Sequence, residues 1–406
     1  MEKSQRVLSF EKELNFDILR GMMHRIYLDN NATTRVAGEV LEAMLPFYMD
    51  LYGNASSVHW FGQESKAAID VARRQVAELL GAEPNEIVFT SGGTESDNLA
   101  LRGIVGASPS KEKHIITSQI EHHAVLHCCE ALQKQGVRVT YVPVDSEAKV
   151  DPADVKKAVS PETILISIMH SNNEVGTIQP IQEIAEIAQE HDICFHTDAV
   201  QAAGKIPIDV NELGVDLLSI AGHKFHAPKG IGALYVRKGT RIQPLFHGGA
   251  HERNRRAGTE NVAQIVGLGK AAELAVSDLE SRSHAIEELR NYFESEVIRR
   301  IPETRLNGPR NGRIPNTSNI RFEHAESEGM VINLDLAGVA CSTGSACASG
   351  SIEPSHVLKA MGLATSEAFG AVRFSLSRYT TREEIDQVLG VLPKIVDRLR
   401  KVAVKG

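Results

Sequence analysis

The sequence predicts an α/β protein, with a mostly parallel sheet covered on both faces by helices and a smaller α+β domain after it. Three observations carry the prediction. Short β-branched or apolar runs alternate with helical patterns between residues 86 and 220. Small or polar residues follow directly on most of those runs, where ligand-binding loops gather at the carboxyl ends of parallel strands. Beyond Asn307 the alternation gives way to short strands, helices and a polar loop.

The 406 residues, 42% hydrophobic and 24% charged, suffice for the cores of two domains. A formal net charge of -8 argues against nucleic acid or an anionic membrane as the main partner. No run approaches the roughly eighteen continuous apolar residues of a membrane span. Cys128, Cys129, Cys194, Cys341 and Cys347 form neither a disulfide framework nor a CxxC zinc pattern, so a reducing cytoplasm is the expected compartment. Residues 1–25 are scattered with charge (Glu2, Lys3, Arg6, Glu11, Lys12, Glu13, Asp17, Arg20) and read as a disordered tail or an upstream start rather than a signal peptide.

From Ile26 the run IYLDNNATTRV reads as a short strand, a turn, and a helix through Met44 to Tyr48 that Thr33 or Thr34 could cap. Asn30 and Asn31 read as turn formers. After the loop Gly53 to His59, Ile69, Ala72, Val76 and Leu79 give a helical stripe that Gly81 closes. Glu86 to Thr90 reads as a strand, Ser91 to Ser96 as a small-residue turn, and Asp97 to Gly103 as a helix. Backbone N–H groups at a helix start bind anions, so Gly93 and Thr94 are candidates to hold a phosphate; a glycine pair is also a common plain connection.

Strands follow at His114 to Ser118, Val137 to Val142 and Ile164 to His170, with helices at Ala124 to Gln135, Pro152 to Val159 and Ile181 to His191. His122 could lie flat on an aromatic ring, and Asn173 and Gln201 could bond a phenolic oxygen; the alternatives are a loop histidine and plain turn residues. The run Ile193 to Val200 (ICFHTDAV) ends in Asp198, a carboxylate that is costly at a buried strand end unless a cation or hydrogen bonds meet it. A further strand, Asp216 to Ile220, delivers His223 and Lys224. Desolvation lowers a lysine pKa, and the neutral amine can condense with a carbonyl as a Schiff base. Lys224 for an aldehyde and Asp198 for a pyridinium nitrogen form a pair suited to pyridoxal phosphate.

The segment HGGAHERNRRAGTEN (His247 to Asn261) is glycine-rich and basic, suiting either an anion or a solvated loop. Val262 to Val276 and Ile286 to Ile298 read as helices linking to the second domain, whose strand Asn319 to Phe322 and helix Ser327 to Leu336 precede a last helix opened by a Thr381-x-x-Glu384 capping box. Between them STGSACASGS (Ser342 to Ser351) carries a single thiol on a run of small residues. Cys347 there reads as a nucleophile on a swinging arm, or as a filler in a tight turn. Arg373 in VRFSLSR could receive an amino-acid carboxylate or serve a structural ion pair.

At this point the chain resembles the cysteine desulfurases of the NifS/IscS type from about Ile26 to Leu399. The motifs are YLDNNATT, EIVFTSGGTES, IEHHAVL, NNEVGT, FHTDAVQ, GHKFHAPKG, HERNRRAGTEN, GSACASGSIEPSHV and VRFSLSRYTT. The resemblance implies the aspartate-aminotransferase fold, that is, fold type I of pyridoxal-phosphate enzymes. Its large domain, residues 39–276, would hold a mainly parallel seven-stranded sheet, and residues 26–38 with 277–406 would form a small domain carrying a mobile cysteine loop. It also implies a homodimer with active sites at the subunit interface, and release of sulfur from L-cysteine as a persulfide on Cys347.

By position, Lys224 resembles the lysine that carries the cofactor, His122 the stacking histidine and Asp198 the pyridinium partner. Gln201 and Asn173 match ring-oxygen contacts, Asn173 also lying by the substrate; Gly93, Thr94 and His223 match phosphate contacts, and Thr259 the contact lent by the neighbouring subunit. Arg373 resembles the substrate carboxylate receptor. The sulfur acceptor would be an iron–sulfur scaffold of the NifU/IscU kind, and Cys347 would be the place for iron or a cluster to attach through its persulfide. Ala221 stands where many relatives have a phosphate-binding Ser, and His123 where Pro or Lys is usual. The short end after Leu399 and the NNATTRV opening resemble the nitrogenase-associated branch.

The rival readings are another pyridoxal-phosphate aminotransferase or lyase, a selenocysteine lyase, a non-catalytic sulfur carrier, and a metal hydrolase using some of the sixteen histidines. No HExxH spacing supports the last; His123 and His127 stand four apart near the start of a helical run, without the glutamate that a metal hydrolase would use as its base.

Overall fold

A computed structural model describes residues 25–343 and 353–403. The expected N-terminal extension and most of the cysteine loop, Cys347 included, lie outside the described residues.

The described chain opens with β1 (Ile26–Tyr27) and, after two short helices, α1 (Trp60–Leu80). Strands β2 (Ile87–Thr90), β3 (His114–Ser118), β4 (Arg138–Val142), β5 (Thr163–Ser167), β6 (Cys194–Asp198), β7 (Leu217–Ala221) and β8 (Gly232–Val236) follow. Among them stand α2 (Gly93–Ala107) after β2, α3 (His123–Gln133) after β3 and α4 (Ile181–Glu190) before β6. These strands form one seven-stranded sheet in the order β2-β8-β7-β6-β5-β3-β4. Only β8 runs against the rest, pairing antiparallel with β2 and β7. The turn from β7 to β8 is too short for the crossover that a parallel neighbour requires.

Successive residues on the strands point to opposite faces, so the sheet faces two cores. Ile116, Ile166, Leu218 and Tyr235 pack with the α1 stripe of Ile69, Ala72, Val76 and Leu79. Their neighbours Ile115, Leu165, Leu217 and Leu234 pack with Leu99 and Leu101 of α2 and Val125 and Leu132 of α3. Residues buried on both faces explain why these strands read as apolar runs without alternation.

After α5 (Val262–Ser277) and α6 (Leu279–Arg300) come β9 (Thr304–Asn307), β10 (Thr317–Phe322), α7 (Ser327–Leu336), β11 (Val339–Ala340), β12 (Ala371–Ser375) and α8 (Arg382–Ala403). β12, β10 and β9 form an antiparallel sheet, and β1 pairs in parallel with β11. Phe293, Ile320, Phe322, Phe374 and the α8 stripe of Ile385, Val388, Leu392 and Val396 share one core, which also takes in Ile26 and Leu28. The predicted capping box is formed, with Thr381 N donating to Glu384 Oε2 and Glu384 N to Thr381 Oγ1.

Two local expectations are corrected. The helix after the first turn starts at Gly38 behind Ala37, not behind a threonine. Thr34 Oγ1 instead donates to the His223 carbonyl, and Thr33 Oγ1 meets His223 Nδ1. Helix α2 begins at Gly93, four residues before the expected start. Glu95 in its first turn accepts from Ser91 N, which favours the helix start where the glycines do not.

Candidate active site

The carboxyl ends of β2, β3, β6 and β7 make one wall of a cleft. Asp198 is the last residue of β6 and is buried. Its Oδ1 accepts from Val200 N at 2.9 Å, and no ion pair reaches it among the described residues. Burial pushes its pKa up to about 6, opposed by that hydrogen bond and the Lys224 charge. Lys224 follows β7 through a single helical turn, Gly222–Lys224. Its Nζ donates to the carbonyls of Asn31 at 2.6 Å and Ala32 at 2.9 Å. Burial, then Arg373, pulls its pKa down to about 8, while Asp198 and Asp29 resist. An amine held among carbonyls with that pKa can lose its proton near neutral pH, as condensation with an aldehyde requires.

Gly92 caps α2 with φ 149°, a conformation side chains rarely adopt. The N–H groups of Gly93 and Thr94 then head a helix four turns long and take no partner among the described residues, so they are free to bind an anion. A Cβ on Gly93 would lie 2.8 Å from Val200 Cγ2 and 3.5 Å from Ala221 Cβ, which sets the helix start against the ends of β6 and β7. Ala221 thus faces this cradle with a methyl group and no hydroxyl.

His122 caps α3, and its Nδ1 accepts from Ala124 N at 3.1 Å. The surrounding protein and the Lys224 charge hold it neutral, its pKa down to about 4, so the ring proton sits on Nε2. The residue nonetheless keeps solvent-exposed surface. His223 is likewise held down to about 4 by burial first.

The other wall belongs to residues 29–31 and to β12. Arg373, 4% exposed, donates to Asp29 Oδ1 at 2.8 Å and to the Asn173 carbonyl at 3.1 Å. The ion-pair reading therefore holds, and its buried Nε has no hydrogen-bond partner among the described residues. Asn31 is the junction of the two walls. Its Nδ2 donates to the Asn173 carbonyl and Thr317 Oγ1, its Oδ1 accepts from Asn316 and Lys205, and its carbonyl accepts from Gln201 and Lys224. Asn31 does stand in a turn, as expected, and its side chain and carbonyl do this further work that the turn reading did not include. Sequence reasoning also missed Asp29 and Lys205; for Asp29 the available signal was a polar DNN run just after a strand, the same position that marks the other site residues, and for Lys205 there was none.

Behind Asp198 lie two more buried carboxyls, Asp97 of α2 and Glu121. Burial raises the Asp97 pKa, and Asp198 adds to the rise. Burial also pushes Glu121 up to about 8, against donors from Ser118 Oγ and Met169 N. Thr259 is exposed on the loop after His247 and reaches none of these groups; that loop touches the cradle through Arg256, which pairs with Glu95 at 2.8 Å. The residues fit pyridoxal phosphate: an anion cradle, a buried carboxylate with no cation of its own, an open neutral imidazole and a depressed lysine face one cleft.

Known proteins give the same picture. The Aminotransferase class-V family matches residues 26–388. A cysteine desulfurase IscS of Dictyoglomus turgidum is 55% identical over 382 residues, 94% of this chain and 97% of the relative. A solved NifS-like protein superposes with a TM-score of 0.85 at 39% identity, over 94% of this chain and all of the other. A structure described as SspA in complex with cysteine superposes with a TM-score of 0.79 at 40% identity, over 88% of this chain and all of that one.

Proposed function

Because the chain belongs to the class-V aminotransferases, and within them to the cysteine desulfurases of the NifS/IscS type, we propose how its residues divide the removal of sulfur from L-cysteine. The enzyme depends on pyridoxal phosphate, which when bound supplies an electron sink for the substrate Cα. Lys224 would carry that group and, as a free amine, could take the Cα proton on Nζ. Asp198 would keep a proton on the ring nitrogen, His122 would cover the ring, and Gln201 and Asn173 would donate to its phenolic oxygen. Gly93, Thr94 and His223 would hold the phosphate, to which the Ala221 methyl would offer no hydrogen bond. Arg373 turns its spare donor capacity to the substrate carboxylate.

Cys347, as thiolate, attacks the substrate sulfur. An S–S bond forms as the C–S bond breaks, the bonding pair stays with the three-carbon fragment, and that fragment leaves as alanine after taking a proton. The persulfide then passes to an iron–sulfur scaffold protein of the NifU/IscU kind, a reading supported by the IscS name of the relative, and Cys347 is where iron or a cluster would attach. The four described cysteines are free thiols, which suits the cytoplasm.

A homodimer is supported by an exposed apolar stretch in which Tyr48, Met49, Tyr52, Val58 and Trp60 are all more than half exposed. In that dimer Thr259 lends its hydroxyl to the cradle of the other protomer.

The single observation that carries the function is the meeting of Lys224, Asp198, His122 and the α2 start in one cleft. Its test is Cys347→Ala. Sulfide release from L-cysteine should fall to background while the visible absorbance of the cofactor persists; an aminotransferase or lyase in which the thiol is incidental would keep its turnover.

A further inference from the structure

Lys205 is a second lysine beside Lys224 that the reaction outlined above does not use. Its Nζ donates to Gln201 Oε1 at 2.8 Å and to Asn31 Oδ1 at 3.1 Å. Gln201 is buried, and its Nε2 donates to the Asn31 carbonyl at 3.0 Å, the same oxygen that accepts from Lys224 at 2.6 Å. Lys205 has no ion pair among the described residues. The cavity of about 40 Å³ that it shares with Lys224, His226 and Arg282 is lined by no carboxylate. Burial, then the charges of Lys224 and Arg373, pulls its pKa well below the usual lysine range. As ammonium or as amine, it still has N–H groups for both oxygens.

Lys205 is half-buried, and a cation drawn out of water without a counter-ion is costly, so its contacts call for a role beyond charge balance. The contacts define the polarity of Gln201. Turning that amide over would set its NH₂ against the Lys205 N–H groups and its oxygen against the Asn31 carbonyl, losing both hydrogen bonds. The backbone holds the lysine in place: Gly204 has φ +70°, and a Cβ there would come within 2.7 Å of Phe225 Cβ, next to Lys224.

We infer that Lys205 is a positioning residue: by donating to Gln201 Oε1 and Asn31 Oδ1, it fixes the Gln201 amide with its nitrogen as the donor for the cofactor's phenolic oxygen. This rests on the assignment of Gln201 and Lys224 to pyridoxal phosphate. One Nε2 hydrogen serves Asn31, and the second remains to be given.

The test titrates the visible absorbance of the holoenzyme against pH without substrate, for the parent, Lys205→Met, Gln201→Leu and the double variant. Losing one oriented donor makes the phenolic oxygen more basic, so the midpoint should rise by roughly one pH unit, a tenfold change, in Lys205→Met. If the lysine acts through the glutamine, the double variant should match Gln201→Leu alone; additive shifts would show a bare charge effect and overturn the proposal. An unmoved midpoint in Lys205→Met would overturn it too. Should that variant not fold, Lys205→Arg decides: it presents only donors, so its midpoint should stay near the parent value, and a shift as large as that of Gln201→Leu refutes the role. A parent that acquires no visible absorbance with pyridoxal phosphate would instead refute the cofactor assignment.

Discussion

On the large-sheet side of the cleft, Gly93, His122, Asp198 and Lys224 each stand within a few residues of a strand's carboxyl end, ordered by the sheet itself. On the other side Asp29 meets Arg373 across 344 positions, and Asn31 gathers Asn173, Lys205 and the adjacent pair Asn316 and Thr317 from three separate segments. The first wall supplies groups that move protons and electrons, and local sequence creates them. The second supplies alignment, and only tertiary contact creates it. Damage to the first should therefore appear mainly in kcat, and damage to the second in KM or in stability.

Lys224→Ala breaks the first wall outright. Turnover should fall by about 10³-fold or more, and borohydride should no longer fix the cofactor to the chain, as read by the mass of the intact protein. Arg373→Leu probes the second wall: KM for L-cysteine should rise about tenfold to a hundredfold with a smaller change in kcat. A loss confined to kcat would contradict the division. Asn31→Ala removes the junction's side chain but keeps the backbone carbonyl that receives Lys224. It should cost about 1–3 kcal/mol of stability in urea unfolding, with less loss of rate than Lys224→Ala.

The smallest effect concerns the layer behind Asp198. Glu121 has its pKa raised to about 8 by burial, so the folded chain binds a proton that the unfolded chain releases above the ordinary glutamate range. That contribution to stability is fully present below about pH 4 and is lost as pH rises toward 8. Glu121→Gln should flatten the fall in Tm across this window; an unchanged slope would place the proton elsewhere.

The difference between the walls also governs what could be read in advance. Asp198 and Lys224 were legible because a charged group ending a buried strand has few cheap explanations. Asn31 was not, since an Asn-Asn pair has the same local meaning in a surface turn as at a junction of seven hydrogen-bonding partners. Lys205 carried no mark at all, because its place is set by hydrogen bonds to Asn31 and Gln201 that no local pattern announces. The start of α2 at Gly93 was hidden by residues of low helix propensity, which the packing of Gly93 on Val200 and the Glu95 contact to Ser91 override. Most strands of the large sheet were legible as apolar runs, while their number, seven, came with the family resemblance and the reversed direction of β8 had no local signal.

Asn30 Nδ2 donates to the Ser375 carbonyl at 2.8 Å, and Asn31 N to Ser375 Oγ at 2.9 Å. The earliest-made piece of the site thus waits for one of the latest. On the ribosome, a polypeptide already long enough to assemble the seven strands still lacks the segment that clamps Asn30 and Asn31. Maturation is consequently ordered in time, with the vitamin-derived group finding its finished berth only after residue 375 has emerged.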